Sequence, residues 1–226
     1  MRDKLKGADY YSTCIDYENA RIIKFSKALQ SVDQNNKVGI RNANMYLSNF
    51  YRNLFKLKYS AGYPINDIFS DYLNWVNYYK LICSENDSFY DLVDIFSIGV
   101  LYSNNREMFL STFTDIIETC KLSDGLIQLL YAYVKGSSYT FSQSKAYYYE
   151  KLFFANDKQS IITHVLADWY NAHKDAYWYD SHKSKNGIYC GYWCFEVPAL
   201  LKVFCIDDSF CSNADYYPVD LAHYCF

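Results

Sequence analysis

Proline and glycine are scarce in this chain, at 3 and 8 of its 226 residues. So few turn formers leave little room for the many tight reversals of a β-sandwich or barrel. The expected fold is all-α, a multi-helix bundle with room for two packed helical halves. No apolar stretch of the roughly 18 residues that a spanning helix needs is present. The N-terminus lacks the apolar run of a signal peptide, so the expected location is the cytoplasm. No glycine-rich phosphate loop, CxxC pair, His-Glu-x-x-His helix or calcium loop occurs. Nucleotide binding and the common metal sites therefore find no motif, and no cofactor or metal is expected. Eight cysteines, irregularly spaced, do not make a disulfide framework in a chain this long. Reduced thiols follow from a cytoplasmic setting.

What the chain has in excess is tyrosine, with 26 copies, and about half its residues are apolar. It can bury a proper core, and tyrosine serves cores and binding surfaces alike. Net charge is only −3, but the signs are segregated. Residues 1–62 hold 11 basic and 5 acidic side chains, and residues 63–124 hold 3 and 10. Residues 207–226 add 4 acids and no lysine or arginine. Such separation either steers a charged partner or reflects ordinary solvated helix faces. Pairing of the basic segment with the acidic one after it is favoured over nucleic-acid binding, because the overall balance is acidic.

Helical periodicity recurs along the chain. Helices are expected over 9–29 and 40–59, the second with Leu47, Phe50, Tyr51 and Leu54 on one face. Gly62 reads as a helix stop and Pro64 as the start of the next helix. Ser88 is the expected cap of a helix bearing Leu92, Ile95 and Phe96, with Asp87, Asp91 and Asp94 along its other side. Further helices are expected over 105–121, after the cap candidate Ser123, and over 144–154 and 156–173. A short turn of helix is expected after Pro218. Residues 175–191 read as irregular and aromatic. The loop at Gly136 suggests a boundary between an N-terminal helical region, 1–135, and a C-terminal one, 136–226.

The sequence offers two catalytic readings. Cys190-Gly-Tyr-Trp-Cys194 superficially matches a thiol-protease signature, but a catalytic thiolate needs a histidine and only His223 lies downstream. Buried packing is the better reading of Cys194 and Cys205. His164 and Asp168, four residues apart on a helix with His173 nearby, are the raw material for a metal-dependent hydrolase. His173 equally continues the apolar face of Ile162, Val165, Leu166 and Trp169, as a hydrogen-bonded edge of the core.

The richest stretch is 189–226. Trp193, Val197, Leu200, Leu201 and Phe204 share one face if the segment is helical throughout. Glu196 falls at the edge of that face, where a carboxylate is costly without a partner. Asp207 and Asp208 follow the expected helix end, where the helix dipole disfavours them. They either cap a turn through Ser209 or face a cation or basic partner.

Gly191-Tyr-Trp-Cys-Phe-Glu196, Ile206-Asp-Asp208, Tyr216-Tyr-Pro218 and Asp220-Leu221 together resemble the C-terminal signature of the PoNi immunity proteins. Arg2-Asp3 and Tyr10-Tyr11 resemble the start of that family's N-terminal helical region. Pro198 departs from the small residues expected after Phe-Glu, and implies that the helix starts late or kinks there. The resemblance implies a bacterial cytoplasmic antitoxin without catalytic activity, encoded beside a PoNe-type DNase toxin of a polymorphic or type VI secretion system. It implies an all-helical binder that covers the metal-dependent site of that toxin in bacterial competition.

On this reading the cognate DNase toxin is the partner, and neither nucleic acid nor membrane is bound directly. A DNase groove is cationic, so focused carboxylates suit it. Asp207 and Asp208 are the first expected contacts, with Asp87, Asp91, Asp94 and Asp215 behind them. Tyr192, Trp193, Glu196, Tyr217 and Pro218 are expected to organise the fold around that surface. A generic helical adaptor is the remaining alternative.

Overall fold

A computed structural model describes residues 1–84, 88–140, 143–146 and 156–224. Among the described residues every regular element is helical, as expected. The chain forms two compact units, Met1–Cys83 with Asp180–Gly191, and Ser84–Tyr179 with Tyr192–Phe226. Residues 135 and 136 both fall in the second unit.

The first unit contains three long helices, α1 (Ala8–Ser31), α2 (Lys37–Ala61) and α3 (Ile65–Lys80). α2 packs against both others. Tyr11, Cys14, Ile15, Glu18 and Ile22 form the buried stripe of α1, at the three- and four-residue spacing of a helix face. The polar loop expected before α2 supplies its cap, since Asn36 accepts a hydrogen bond from Gly39 N at 2.8 Å. α2 stops at Gly62, whose φ of 92° is left-handed. A Cβ there would lie 2.9 Å from Met1 N, so a side chain is excluded by space as well. Pro64 then precedes the first turn of α3, as the sequence predicts. Phe55, Tyr72 and Trp75 are fully buried and in mutual ring contact.

Residues 180–191 return to this unit. Tyr10 OH donates to Tyr189 O at 2.9 Å and accepts from Tyr189 N at 3.0 Å. Ser60 Oγ donates to Cys190 O at 2.7 Å, and Tyr189 OH to Asp3 Oδ1 at 2.5 Å. Arg2 sits 4.6 Å over the Tyr59 ring and donates to the carbonyls of Tyr59 and Tyr63 at 2.8 Å. Arg2, Asp3 and Tyr10, singled out in the sequence, are thus the clamp that holds the N-terminus and the returning segment.

The second unit is built from shorter pieces. These are α4 (Phe89–Leu101), a 3-10 segment (Ser103–Met108), α5 (Leu110–Thr119), α6 (Gly125–Lys135), α7 (Lys158–Ala172), α8 (Glu196–Val203) and α9 (Val219–Ala222). α4 is its central element, packed against α6 and α8 and buried continuously from Ile95 to Leu101. Lys202 of α8 donates to Leu101 O at 3.2 Å, closing the last turn of α4. Ser88 is the α4 cap residue by position, though its side chain makes no capping bond. The α6 cap is Asp124 and not Ser123, because the Asp124 carboxylate reaches both Leu126 N and Ile127 N.

The helix expected over 105–121 divides into the 3-10 segment and α5, with Phe109 at φ −137° between them. Most of the helix expected over 144–154 lies outside the described residues. No helix among the described residues is long and apolar enough to cross a membrane.

Candidate functional site

The C-terminal signature region gathers in the second unit. Its helix starts at Glu196, so Trp193 precedes α8 and does not share a helix face with Leu200. Pro198 explains the late start. It occupies the third position of α8, where a backbone N–H has no intrahelical acceptor, so its missing donor costs nothing.

Glu196 is buried and finds its partner inside the fold: Trp169 Nε1 donates to its Oε1 at 2.6 Å. Trp169 comes from α7, 27 residues earlier, and stacks on Trp178 with ring centroids 5.2 Å apart. Tyr170 stacks on Tyr216 at 5.5 Å and meets Tyr192 at 4.9 Å. Tyr192 also contacts Trp178 at 5.6 Å. Tyr192 is buried and belongs to this aromatic cluster, while Trp193 beside it is half-buried. Cys194 N donates to Tyr216 O at 2.9 Å, and Tyr216 takes a φ of 65° to allow it.

The paired aspartates divide the work. Asp207 is exposed and accepts bonds from the amide N at 3.0 Å and the hydroxyl of Ser209, which is the turn-capping arrangement. Those bonds hold its carboxyl below the ordinary aspartate range, with His223 helping in the same direction. Asp208 is half-buried and faces inward. Tyr217 OH donates to its Oδ2 at 2.6 Å, and His223 Nε2 lies 2.8 Å from both of its oxygens. Burial first, and Asp208 second, push the Tyr217 phenol far above its usual range. Tyr217 and Pro218 are both buried, and Pro218 caps α9.

Asp215 is exposed on the same C-terminal stretch, as is Asp220. Asp91 and Asp94 are half-buried on α4, and Tyr177 OH donates to Asp91 at 2.9 Å. Asp87 lies outside the described residues. The second unit therefore holds Asp91, Asp94, Asp207, Asp208 and Asp215. Trp178, Tyr177 and His223 were not singled out by the sequence as partners of the signature. Their only signal was the aromatic character of residues 175–191 and the position of His223 after Asp220.

The residues with metal-ligating side chains on α7 are arranged differently. His164 and Asp168 are exposed on α7 and line a cavity of about 260 Å³ with Phe89, Tyr90 and Trp169. His173 Nδ1 lies 2.6 Å from Trp169 O, and its ring stacks on Trp178 at 5.4 Å. It is the hydrogen-bonded core edge. No group of three or more His, Cys, Asp or Glu that could hold a metal ion occurs among the described residues. Cys194 is fully buried as expected, whereas Cys205, just past the end of α8, is exposed, and desolvation pushes the Cys190 thiol up to about 12, against the partly offsetting Lys56 and Arg52. That shift is opposite to the one a nucleophilic thiol needs.

Fold and site thus define an all-α protein whose carboxylates are fixed by turns and hydroxyls around an aromatic cluster. The fold is shared with a crystal structure of protein PA2201 from Pseudomonas aeruginosa. The match has a TM-score of 0.70 at 17% identity and covers 99% of this chain and 89% of that one. The chain belongs to the PoNe immunity proteins (PoNi): the family's N-terminal model matches residues 2–112 and its C-terminal model residues 122–221. No curated protein matches it.

Proposed function

We propose that this chain neutralises a cognate PoNe-type DNase toxin by direct binding, with carboxylates of the second unit occupying the toxin's cationic groove. The match of both PoNi models along the chain carries this reading. The acids of the C-terminal stretch support it. Asp207 is exposed, and its bonds to Ser209 favour the charged form. Asp208 acts behind it as a brace through Tyr217 and His223, so the turn is fixed before any partner arrives. Preformed charge avoids the ordering cost of binding. The chain acts by occlusion, without catalysis of its own, inside the bacterial cell that must survive a toxin delivered by a competitor.

Protection from a nuclease calls for nanomolar affinity or better, about −12 kcal/mol, and an interface of roughly 1,600 Å². Association should be fast and salt-sensitive, because opposite charges steer it. The test is growth rescue with the toxin encoded beside this gene. Wild type should restore growth, and Asp207→Lys with Asp215→Lys should abolish rescue while leaving the melting curve intact. Undiminished rescue by that double variant would remove these acids from the interface.

A further inference from the structure

The cavity on α7 is left unused by the acids of the proposed interface. Two helices wall it. Val165, Trp169 and Ala172 recur at the four- and three-residue spacing of one face of α7, and Phe89 and Tyr90 come from the first turn of α4. Its volume of about 260 Å³ falls short of the roughly 300 Å³ at which sites for drug-sized molecules begin. That suits one large side chain. Ala172 is exposed and Phe89 and Tyr90 are half-buried, so the cavity opens to solvent.

Its fixed charges cancel. Lys145 lines one part, with Nζ 6.0 Å from the centre of the Phe89 ring, and Asp168 lines another. The remaining polar groups are the Tyr90 phenol and the imidazoles of His164 and His173, and His173 Nδ1 already lies 2.6 Å from Trp169 O. A lining with one charge of each sign selects neither a cation nor an anion, and most of its wall is aromatic. Among the described residues, neither Asp168 nor His164 has a hydrogen-bond or ion-pair partner. Elsewhere in this unit a carboxylate beside a ring takes the donor that the ring carries: Glu196 from Trp169, Asp91 from Tyr177, Asp208 from Tyr217. Asp168 stands at the cavity with such an acceptor open.

We infer that this cavity seats an aromatic side chain of the toxin, a tyrosine or a tryptophan. Its ring packs against Tyr90, Val165 and Trp169, and its hydroxyl or indole N–H donates to Asp168. Both residue types have an apolar body and a polar tip, which is the order of wall and rim here. The occupant is the toxin because α4 makes the cavity continuous with the proposed interface: Tyr90 lines the one, and Asp91 beside it belongs to the other. The inference rests on that toxin-binding reading and adds an uncharged anchor to it. Charge steers the encounter and sets the on-rate. An aromatic group buried in a pocket holds the complex and sets the off-rate.

Surface-plasmon kinetics with the purified toxin encoded beside this gene test it. Ala172→Trp plugs the mouth of the cavity from an exposed position. It should raise the off-rate about tenfold or more and leave the on-rate and its salt dependence unchanged. Ala167→Trp puts the same bulk on an exposed position of α7 outside the cavity lining, and should keep the wild-type off-rate. Circular dichroism checks that both fold, and Ala172→Met, a good helix former that also reaches into the mouth, carries the same test if Ala172→Trp does not. A wild type that fails to bind the toxin would remove the proposed function and this inference with it. Tight wild-type binding with an unchanged off-rate in Ala172→Trp would overturn the inference alone, as would an equal rise in Ala167→Trp. So would self-association of the free chain that Ala172→Trp abolishes, since the occupant would then be a second copy.

Discussion

The two units solve the same problem, a carboxylate inside an aromatic core, with different mixes of donors. In the first, Asp71 and Glu18 meet cations, while Asp3 takes the Tyr189 hydroxyl. Lys58 Nζ is 2.7 Å from Asp71, and Arg21 is 3.3 Å from Glu18. In the second, neutral donors do much of the work. Glu196 takes the Trp169 indole, Asp91 the Tyr177 hydroxyl, and Asp208 the Tyr217 hydroxyl. Asp124 takes the Ser144 hydroxyl at 2.9 Å. A neutral donor fixes a carboxylate without cancelling its charge. The cationic unit thus consumes some of its own charge internally, while the anionic unit fixes several of its acids with indole and hydroxyl donors. That difference bears on the proposed docking of these acids in a cationic groove.

The contrast breaks most visibly where a ring is removed. Trp169→Ala takes away a buried indole and one hydrogen bond to Glu196, so a loss of about 3–5 kcal/mol is expected. Urea unfolding followed by hydrogen exchange should show the loss in the second unit and spare α1 to α3. Equal loss in both units would mean that they unfold as one.

Lys58→Met sharpens the comparison from the other side. It strands Asp71 in a buried site at a cost of about 3–5 kcal/mol. The double change Lys58→Met with Asp71→Leu should recover most of that, because buried ion pairs are readily replaced by apolar side chains. Glu196→Gln, by contrast, keeps a hydrogen-bond acceptor for Trp169 and should cost only about 1 kcal/mol. A Glu196→Gln loss as large as that of Lys58→Met would erase the distinction between charged and neutral partners.

Acid should separate the units by the smallest margin. Burial raises the Asp71 and Glu18 pKa values, with Lys58 offsetting the first, and Asn53 and then Arg21 the second. Their contribution to stability is full below the ordinary carboxylate range and is lost as pH rises through the raised values. Asp207 has the opposite sign. Its turn contributes above the ordinary aspartate value and loses that contribution as pH falls through the lowered one. Mild acidification from neutrality should therefore favour the first unit, read as protection free energies of α1 and α3. Asp71→Asn should flatten the trend.

Much of the scaffold was legible in the sequence because its signals are local. Apolar spacing gave α1 to α4, Gly62 gave a stop, and Pro64 a start. The charge division was visible by counting. The C-terminal region was read less well, for a physical reason. Asp207 found its partner two residues away, within reach of turn chemistry. Asp208 found Tyr217 and His223 at 9 and 15 residues, and Glu196 found Trp169 at 27. Periodicity says that a buried acid needs a donor; it does not say which distant side chain the packing will bring. The irregular stretch before Gly191 hid its role likewise, since its bonds run to Asp3, Tyr10 and Ser60 at the far end of the chain.

That last set of bonds bears on inheritance. The first compact unit borrows twelve residues, 180–191, from inside the span matched by the C-terminal family model. Recombination that joins the front of one homologue to the back of another would pair Asp3 and Tyr10 with a foreign segment in place of Ile188 to Cys190. Chimeras cut between the two family models must therefore match at this clasp, and lineages should exchange the gene whole more readily than in halves.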